Sequence, residues 1–396
     1  MINLLYSKKF GTAIPLAMAA IIILLALGAS LLTLGVNARL YSARNSEEIS
    51  ARCAADAGIT KALYDMNAKL QVKPWNDSYL PSGSDIPLLG CNAYYSYTVQ
   101  KFGSSYVVTA TGSCGNTQKQ IRCTLSLNSP FDAAVFCESY VWFYSNCVID
   151  QYNNEESSQP LRVGTNSIGH WQLCIFNDAI VNGDAVVGSG GDPENTIDNK
   201  GTITGSQYSL STPQKLDQVS VPSSLEDLPS LGTLTGGDVI VSGKYDSIDL
   251  GNSATVTIKG DVTLYVTGDV TLGNSAQIVV DNTSDSSLTL YIGGDFSGGN
   301  SSNINNLTEN PHYTTIYGLD SCSKINMKND SSFYGTIYAP HAEVVYNNSA
   351  ALYGSVIAKS FETKNSASIH YDASLRNVSA DEPLVKFRVT KWAENN

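Results

Sequence analysis

The sequence is poor in charged side chains, which make up 15% of its 396 residues, and poorer still in histidine, of which there are four. Its 24 basic residues are outnumbered by 36 acidic ones, for a net charge of −12. A chain whose main partner is nucleic acid is therefore excluded, because phosphate binding needs clustered Lys and Arg to displace counterions. A hydrophobic content of 42% excludes a wholly disordered chain, which could not bury enough apolar surface.

Motifs for metal-dependent or nucleotide-dependent chemistry are also missing from the sequence. The histidines lie far apart, and His341-Ala342-Glu343 matches only half of the zinc-deaminase signature, because no cysteine follows Cys322. The Gly-Gly-Asp segments at 190–192 and 293–295 lack the full calcium-binding nonapeptide repeat, and no glycine-rich phosphate loop occurs. We therefore predict no metal, no cofactor and no small-molecule substrate.

Carboxylates are the remaining candidates for catalysis, since polysaccharide hydrolysis uses two of them at a defined separation. The candidates are Asp261, Asp269, Asp295 and Glu343. Asp261 and Asp269 occur in a repeated Gly-Asp pair, where aspartate commonly turns or caps the backbone. We expect structural corners, assign no catalytic residue and predict that the chain is not an enzyme.

A long apolar run is present near the start of the chain. No charged residue occurs over 11–38, and residues 13–36 read AIPLAMAAIIILLALGASLLTLGV. As a helix rising about 1.5 Å per residue, this run is about 36 Å long, against about 30 Å for the hydrocarbon core of a bilayer. A cleavable signal peptide has a shorter apolar region of about 7–15 residues. We therefore predict a retained anchor over residues 1–40 that inserts one helix in the membrane.

Charge and cysteine placement indicate the compartment of the body. Residues 1–70 carry seven basic and four acidic side chains, which leaves −15 for the rest of the chain. All eight cysteines follow the anchor, and an even number in a Gly- and Asn-rich body suits an oxidising compartment. We predict a body outside the cytoplasm, in the periplasm or on the cell surface.

Helical and antiparallel patterns follow the anchor. Ile59, Leu63, Met66 and Leu70 recur at helical spacing, which predicts a stalk helix over 41–72 that continues the membrane helix as one rod. Alternating segments at 92–100, 104–112 and 117–127 predict an antiparallel meander within residues 73–130. Pairing of the first two strands about Phe102 would bring Cys91 near Cys114, and we hypothesise a disulfide there.

The second half of the chain repeats itself at offsets of about 20 residues, typical of stacked turns. LGNSA at 250–254 recurs at 272–276, FYGTI at 333–337 recurs as LYGSV at 352–356, and NSA at 348–350 recurs at 365–367. We predict a mainly β protein with a right-handed parallel β-helix over 131–378 and asparagine ladders at its corners. An antiparallel sandwich is the alternative. Residues 188–234 read as a surface excursion and 379–396 as a tail.

Two parts of the chain resemble known families. CAADAGITKALYDMN, after the apolar run, resembles the start of PilX-like pilus-assembly proteins. GDVTLYVTGDVTLGNSAQIVV, LYIGGDFS, FYGTIYAPHAEV, LYGSVIAKSF and IHYDASL look like a bacterial domain of uncharacterised function. The resemblance implies a pilin-like component of type IV pilus assembly or cell-surface architecture, with a β-helical body and other pilin-like proteins as partners.

The pilin pattern also implies a processing site. Lys8 and Lys9 precede Gly11, as basic residues precede the cleaved Gly in type IV pilins. Thr12 stands where that pattern has Phe, and Leu16 stands where it has Glu. Gly11 and Thr12 are therefore the candidate cleavage position.

Tyrosines provide the candidate partner surface. Six of them in the repeated region, Tyr291, Tyr317, Tyr334, Tyr338, Tyr346 and Tyr353, could line one face of the coil. A tyrosine has an apolar body and a polar tip, which suits contact with a sugar or a partner protein, and Tyr334 and Tyr353 are the chosen pair. Stacking between strands is the other interpretation. A carbohydrate-binding or polysaccharide-degrading β-helix and a secreted adhesin remain the alternative functions.

Overall fold

One long helix opens the described part of the chain. The computed structural model describes residues 13–153, 159–239, 241–282, 286–328 and 332–395, and α1 spans Ala13–Leu70 without a break. Pro15 lies in its first turn, where the missing N–H costs nothing, and no further proline occurs until Pro74. From Ala13 onward, the predicted anchor and stalk therefore form a single continuous helix.

An antiparallel sheet completes the first of two compact units, Met1–Leu127 with Lys386–Asn396. Its strands β1 to β4 are Ser82–Pro87, Ala93–Phe102, Ser105–Cys114 and Thr117–Asn128. In register, β2 pairs with β3 from Ala93 opposite Cys114 to Phe102 opposite Ser105, around a turn at Gly103 with a positive φ of 63°. The predicted meander segments coincide with β2, β3 and β4.

A fifth strand, Lys386–Asn395, joins this sheet beside β4. Most of the segment 379–396, which the sequence analysis treats as a tail, is therefore part of an ordered sheet. The whole second unit, Asn128–Val385, is inserted in the chain between these two neighbouring strands.

The second unit contains many short strands, together with short helices α2 (Pro193–Thr196) and α3 (Ser223–Glu226) and single 3-10 turns at Pro311–Tyr313 and Ala373–Arg376. The strands are β5 Val135–Cys137, β6 Val141–Phe143, β7 Val148–Tyr152, β8 Arg162–Thr165, β9 Leu173–Ile175, β10 Ile180–Val181, β11 Asp184–Val187, β12 Ile197–Asn199, β13 Thr202–Ile203, β14 Gln207–Ser209, β15 Thr233–Leu234, β16 Gly237–Val239, β17 Gly243–Tyr245, β18 Ser247–Leu250, β19 Thr255–Ile258, β20 Asp261–Val266, β21 Val270–Leu272, β22 Gln277–Val280, β23 Ser287–Ile292, β24 Phe296–Gly298, β25 Asn303–Asn306, β26 Thr314–Gly318, β27 Lys324–Met327, β28 Ser332–Asn347, β29 Ala351–Lys364 and β30 Ser368–Asp372. The strand Lys386–Asn395 is β31.

Pairing in the second unit is parallel among its described strands, and many strands pair with the strand three places later. β20, β23 and β26 pair in this way, with Leu264 opposite Leu290 and Leu290 opposite Ile316. Alternate residues of β20 are buried, which packs one side of each strand in a continuous apolar core. The repeated sequence motifs stack in register, as Leu250 opposite Leu272 shows. The antiparallel alternative is wrong for this unit.

Polar side chains link the corners of successive turns. The Asn252 Oδ1 atom accepts the Asn274 backbone N–H at 2.8 Å, and the Asn274 Oδ1 atom accepts the Asn300 N–H at 2.9 Å. The Asp269 Oδ1 atom accepts the Asp295 N–H at 2.8 Å in the same manner. The predicted asparagine ladder is confirmed at Asn252 and Asn274, and Asp269 has the structural corner role that its Gly-Asp pair indicates.

The turns do not stack in the order of the chain. β29 pairs with β5, with Val356 opposite Val135, so that strands β5 to β14 continue the stack beyond the strands of the C-terminal half. The chain must then return to the opposite end of the stack, where β15 begins. The predicted excursion at 188–234 contains β12, β13 and β14, and is therefore corrected to residues 210–232.

This returning segment, residues 210–232, runs past one turn after another. The Gln214 N–H donates to the Asn166 Oδ1 atom at 2.9 Å, near the start of the segment. Further along, the Tyr338 hydroxyl donates to the Asp217 carbonyl at 2.9 Å, and the Lys244 Nζ atom donates to the Glu226 carbonyl at 2.8 Å. The segment thus lies along the stack as a strap.

Candidate functional site

The first half of α1 is apolar on all faces and exposed along its length. Leu24 is 67% exposed and Leu32 is 71% exposed. The hydroxyls of Ser30 and Thr33 donate to the carbonyls of Ala26 and Ala29, both at 2.8 Å, so their polar groups are satisfied within the helix. Among the described residues, α1 is the one helix long and apolar enough to cross a membrane.

The second half of α1 packs on the antiparallel sheet through small residues. Ala51, Ala54 and Ala55 are fully buried, and β3 faces this helix with Gly112. A Cβ atom on Gly112 would lie 2.0 Å from the Ala51 carbonyl oxygen and 2.4 Å from the Ala55 nitrogen. The small size of the alanine side chains and the lack of one at Gly112 let the helix backbone approach the sheet closely.

Hydrogen bonds fix the end of α1 against the sheet. The Tyr97 hydroxyl on β2 donates to the Asp65 carboxylate, and burial together with this carboxylate raises the pKa of Tyr97. The Asn67 amide donates to the Phe387 carbonyl at 3.2 Å, and the Asn67 Oδ1 atom accepts the Phe387 N–H at 2.8 Å. These contacts join α1 both to β2 and to β31, the last strand of the chain.

The predicted partner surface is a stack of aromatic rings. The Tyr334 and Tyr353 rings lie 4.3 Å apart at 11°, and the Tyr353 and His370 rings lie 4.6 Å apart at 27°. The His370 Nδ1 atom lies 2.6 Å from the Asp150 Oδ1 atom. The geometry matches the cross-strand stacking interpretation, since these ring faces contact one another. A role for Tyr334 and Tyr353 in partner binding stays a prediction.

The second unit also contains a cavity of about 410 Å³. Its floor is formed by threonines of β23, β26 and β28, and its mouth contains Asp261 and Glu382. Sequence reasoning missed this site, because its residues come from distant segments and form no local motif. Two lining residues were named in the sequence analysis, Asp261 as a structural corner and Tyr317 as part of the candidate tyrosine surface.

Comparison with known families identifies the second unit. The family model described as Domain of unknown function (DUF7305) matches residues 181–378, which is half of the chain. The chain belongs to the DUF7305 family. The matched region runs from the end of β10 to the residues that follow β30, and it contains the threonine floor of the cavity.

Solved structures provide two further similarities for this DUF7305 chain. The competence-associated pilin ComZ from Thermus thermophilus is 13% identical with a TM-score of 0.31, and the match covers 88% of this chain and 97% of that one. An ice binding protein from an Antarctic bacterium, Flavobacteriaceae, is 7% identical with a TM-score of 0.25, over 60% and 79%. At these TM-scores neither similarity supports a conclusion about this chain. No curated protein matches the chain significantly.

The remaining predicted sites of the DUF7305 chain have different outcomes. Gly11 and Thr12, the candidate processing position, lie outside the described residues, while Leu16 is exposed on α1. Within the described ranges, no group of three or more His, Cys, Asp and Glu side chains is arranged to hold a metal ion.

The hypothesised disulfide is absent, because all eight cysteines are free. Cys114 lies opposite Ala93 at the end of the β2–β3 pair, whereas Cys91 lies beyond that pair, in the turn that follows Leu88. The register about Gly103 therefore does not align the two cysteines. Because no disulfide bond forms, the even number of cysteines does not indicate an oxidising compartment.

Thiol labelling of the DUF7305 chain tests this arrangement. Burial raises the pKa of Cys123 and Cys174 to about 11 and that of Cys147 to about 12, so at pH 8 these thiols are protonated and shielded. We expect iodoacetamide to modify the exposed Cys53 and Cys91 first and the buried thiols only in denaturant, as read by peptide mass spectrometry. Modification of Cys91 that requires prior reduction would contradict the free state.

Proposed function

We propose that this DUF7305 protein is a non-enzymatic, membrane-anchored, pilin-like structural protein of type IV pilus assembly or of cell-surface architecture. The observation that carries the proposal is the single helix α1, whose first half is exposed and apolar and whose second half packs on an antiparallel sheet. Such a helix can remain in an apolar phase while it holds a folded unit at the membrane boundary.

The distribution of polarity supports membrane insertion rather than a soluble helix bundle. A surface helix of a soluble protein has an apolar stripe on one side, whereas residues 14–36 of α1 are apolar on all sides. Lipid chains can cover such an apolar surface on all sides. The same surface could contact the apolar helices of other pilin-like chains, which we propose as its protein partners.

The second unit supplies the body of the proposed protein. We propose that its parallel strands form a right-handed parallel β-helix, since that is the hand of nearly all crossover connections between parallel strands. Corner ladders and a continuous apolar core make such a stack rigid. The net acidity of the chain after residue 70 supports a solvated body, which we place in the periplasm or on the cell surface.

Charge placed in the first half of α1 tests the anchor. In the variant Leu24→Arg with Leu27→Arg, each arginine costs about 3 kcal/mol of insertion free energy at the centre of a membrane helix. We expect the wild-type chain to stay in the membrane pellet after alkaline carbonate extraction and the variant to move largely to the supernatant. The matched control is the double variant Ile49→Arg with Tyr64→Arg, in the second half of α1. Ile49 is 56% exposed against 55% for Leu27, and Tyr64 is 67% exposed, as Leu24 is. Equal partition of both variants would overturn the anchor.

Mass spectrometry of the mature N-terminus separates the pilin-like form from its alternatives. A start at Thr12 supports pilin-like processing, and a start at Met1 supports an unprocessed anchor. A start near Arg39 would contradict both, because it would mean that the apolar run is removed and the body is secreted. Labelling of Cys91 in whole cells with a membrane-impermeant maleimide then locates the body relative to the membrane.

A further inference from the structure

The cavity of the second unit has a floor made of hydroxyl groups. Thr289, Thr315 and Thr336 occupy successive strands in register, and all three line the cavity. The Thr315 and Thr336 Oγ1 atoms are 3.0 Å apart, within hydrogen-bond distance. Neighbouring strands are separated by about 4.8 Å, so the row extends over about 10 Å. Each hydroxyl can both donate and accept, which suits a ligand that carries a row of hydroxyls of its own.

Burial distinguishes the inner part of this floor from the outer part. Thr336 is 2% exposed, whereas Thr289 and Thr315 are half-buried and accessible to a ligand. The cavity volume, about 410 Å³, falls within the range of about 300–1,000 Å³ that is typical of small-molecule sites. The site is therefore large enough for a small ligand and has polar groups along its length.

Apolar side chains form part of the wall. Tyr317 and Phe131 line the cavity, and they are 3% and 8% exposed, respectively. The Tyr317 ring stacks on Tyr291 at 5.0 Å and 21°, so Tyr317 and Phe131 contribute a small apolar border and not an open ring face. A sugar ring combines a C–H face with a rim of hydroxyls, so it matches both the wall and the floor.

Carboxylates surround the mouth of the cavity. Asp261, Asp381 and Glu382 contribute to the lining, whereas the lining contains no Lys or Arg. His312 also lines the cavity, with its Nε2 atom 3.0 Å from the Ser374 Oγ atom. Carboxylate oxygens accept hydrogen bonds from hydroxyl or ammonium groups, and they repel carboxylate or sulfate groups.

From this arrangement we propose that the cavity binds a short sugar segment that carries no negative charge, either neutral or bearing amino groups. The threonine row and the carboxylates contact the hydroxyl rim, and the small exposed parts of Tyr317 and Phe131 border the C–H face. The segments at 129–131 and 381–383, close to the two ends of the second unit, also line the cavity. This binding does not depend on the proposed membrane anchor.

Calorimetric titration of the full chain tests the proposal with three tetrasaccharides. The chain is held in a detergent without a sugar headgroup, because a maltoside would compete for the site. The probes are tetramers of N-acetylglucosamine, of glucosamine and of galacturonic acid, which are neutral, cationic and anionic at pH 6. We expect binding of the first two, with the cationic probe tighter, and at least tenfold weaker binding of the anionic probe.

Two single variants connect the binding to the cavity. Thr315→Val keeps the side-chain shape and removes one hydroxyl, and Asp261→Asn removes one charge at the mouth. We expect each to weaken binding about tenfold, the effect of losing a hydrogen bond to a ligand. Thr271→Val and Asp249→Asn are the matched controls, since both residues are exposed on other strands and do not line the cavity.

Three outcomes would overturn the proposal. These are absence of binding by all three probes at millimolar concentration, equal affinity for the galacturonate probe, and wild-type affinity in both cavity variants. Thermal melting of each variant confirms that a lost signal reflects the site, since Asp261 is exposed and its change leaves the core intact.

Discussion

Alanine at position 112 is expected to destabilise the first unit by about 3 kcal/mol, the upper range of overpacking in a close contact. The added Cβ atom would lie 2.0 Å from the Ala51 carbonyl oxygen and 2.4 Å from the Ala55 nitrogen. Both atoms belong to the backbone of α1, which cannot move aside as the end of a flexible side chain can. The helix must shift away from β3, and the buried alanines around Ala54 then lose their contacts.

Hydrogen exchange of the β3 and α1 amides in the full chain measures this effect. Gly112→Ala should increase exchange in both elements, because separation of the helix from the sheet opens them together. Gly251→Ala is the control, since a Cβ atom at that position meets nothing within 4 Å, and it should change stability by less than about 0.5 kcal/mol. Equal protection of β3 in both variants would mean that the helix does not pack closely on Gly112.

The change Phe361→Ala is expected to cost the second unit about 3–5 kcal/mol, the usual result of removing a buried phenylalanine. The Phe361 side chain is fully buried, and its ring packs 5.9 Å from that of Tyr346 and 6.1 Å from that of Phe143. Phe361 also lies opposite Val141, where β29 meets β6. Its loss therefore weakens the junction at which the two halves of the stack meet.

Urea unfolding followed by limited proteolysis reports on this junction, with cleavage between β5 and β14 as the readout. The control is Phe102→Ala, which removes the same side chain at a position that is 78% exposed. Phe361→Leu should recover most of the lost stability, because it restores most of the buried volume. If the Phe361→Ala chain resists protease to the same extent as the Phe102→Ala chain, the packing described for β29 is contradicted.

Elements with a local sequence signal were predictable. The length and purity of the apolar run predicted the first half of α1, and alternation around Gly103 predicted β2 and β3. The repeated LGNSA motif predicted stacked turns, since each copy occupies the same place in consecutive turns, as Leu250 and Leu272 do. In these cases the partner of a residue lies within one turn or one hairpin.

Features that depend on distant partners were not predictable from the sequence. Strand β31 was treated as a tail because its neighbour β4 ends some 260 residues earlier, and short alternation alone does not identify a strand. The disulfide between Cys91 and Cys114 was wrong for a local reason, since the register of the β2–β3 hairpin sets Ala93 opposite Cys114 and leaves Cys91 beyond the end of the strand pair. The cavity brings together residues near 130, 261, 315 and 382, which no spacing rule connects.

The order in which the turns stack has a consequence for synthesis of the protein. Ser355 donates to the Ala133 carbonyl although the two residues are 222 positions apart in sequence. Strands β5 to β14 are made early, yet one edge of their stack stays unpaired until β29 has been translated, about ten seconds or more at ordinary elongation rates. An unpaired parallel edge invites pairing with another chain. Folding of the second unit therefore requires that its early strands stay apart from other chains until β29 has left the ribosome.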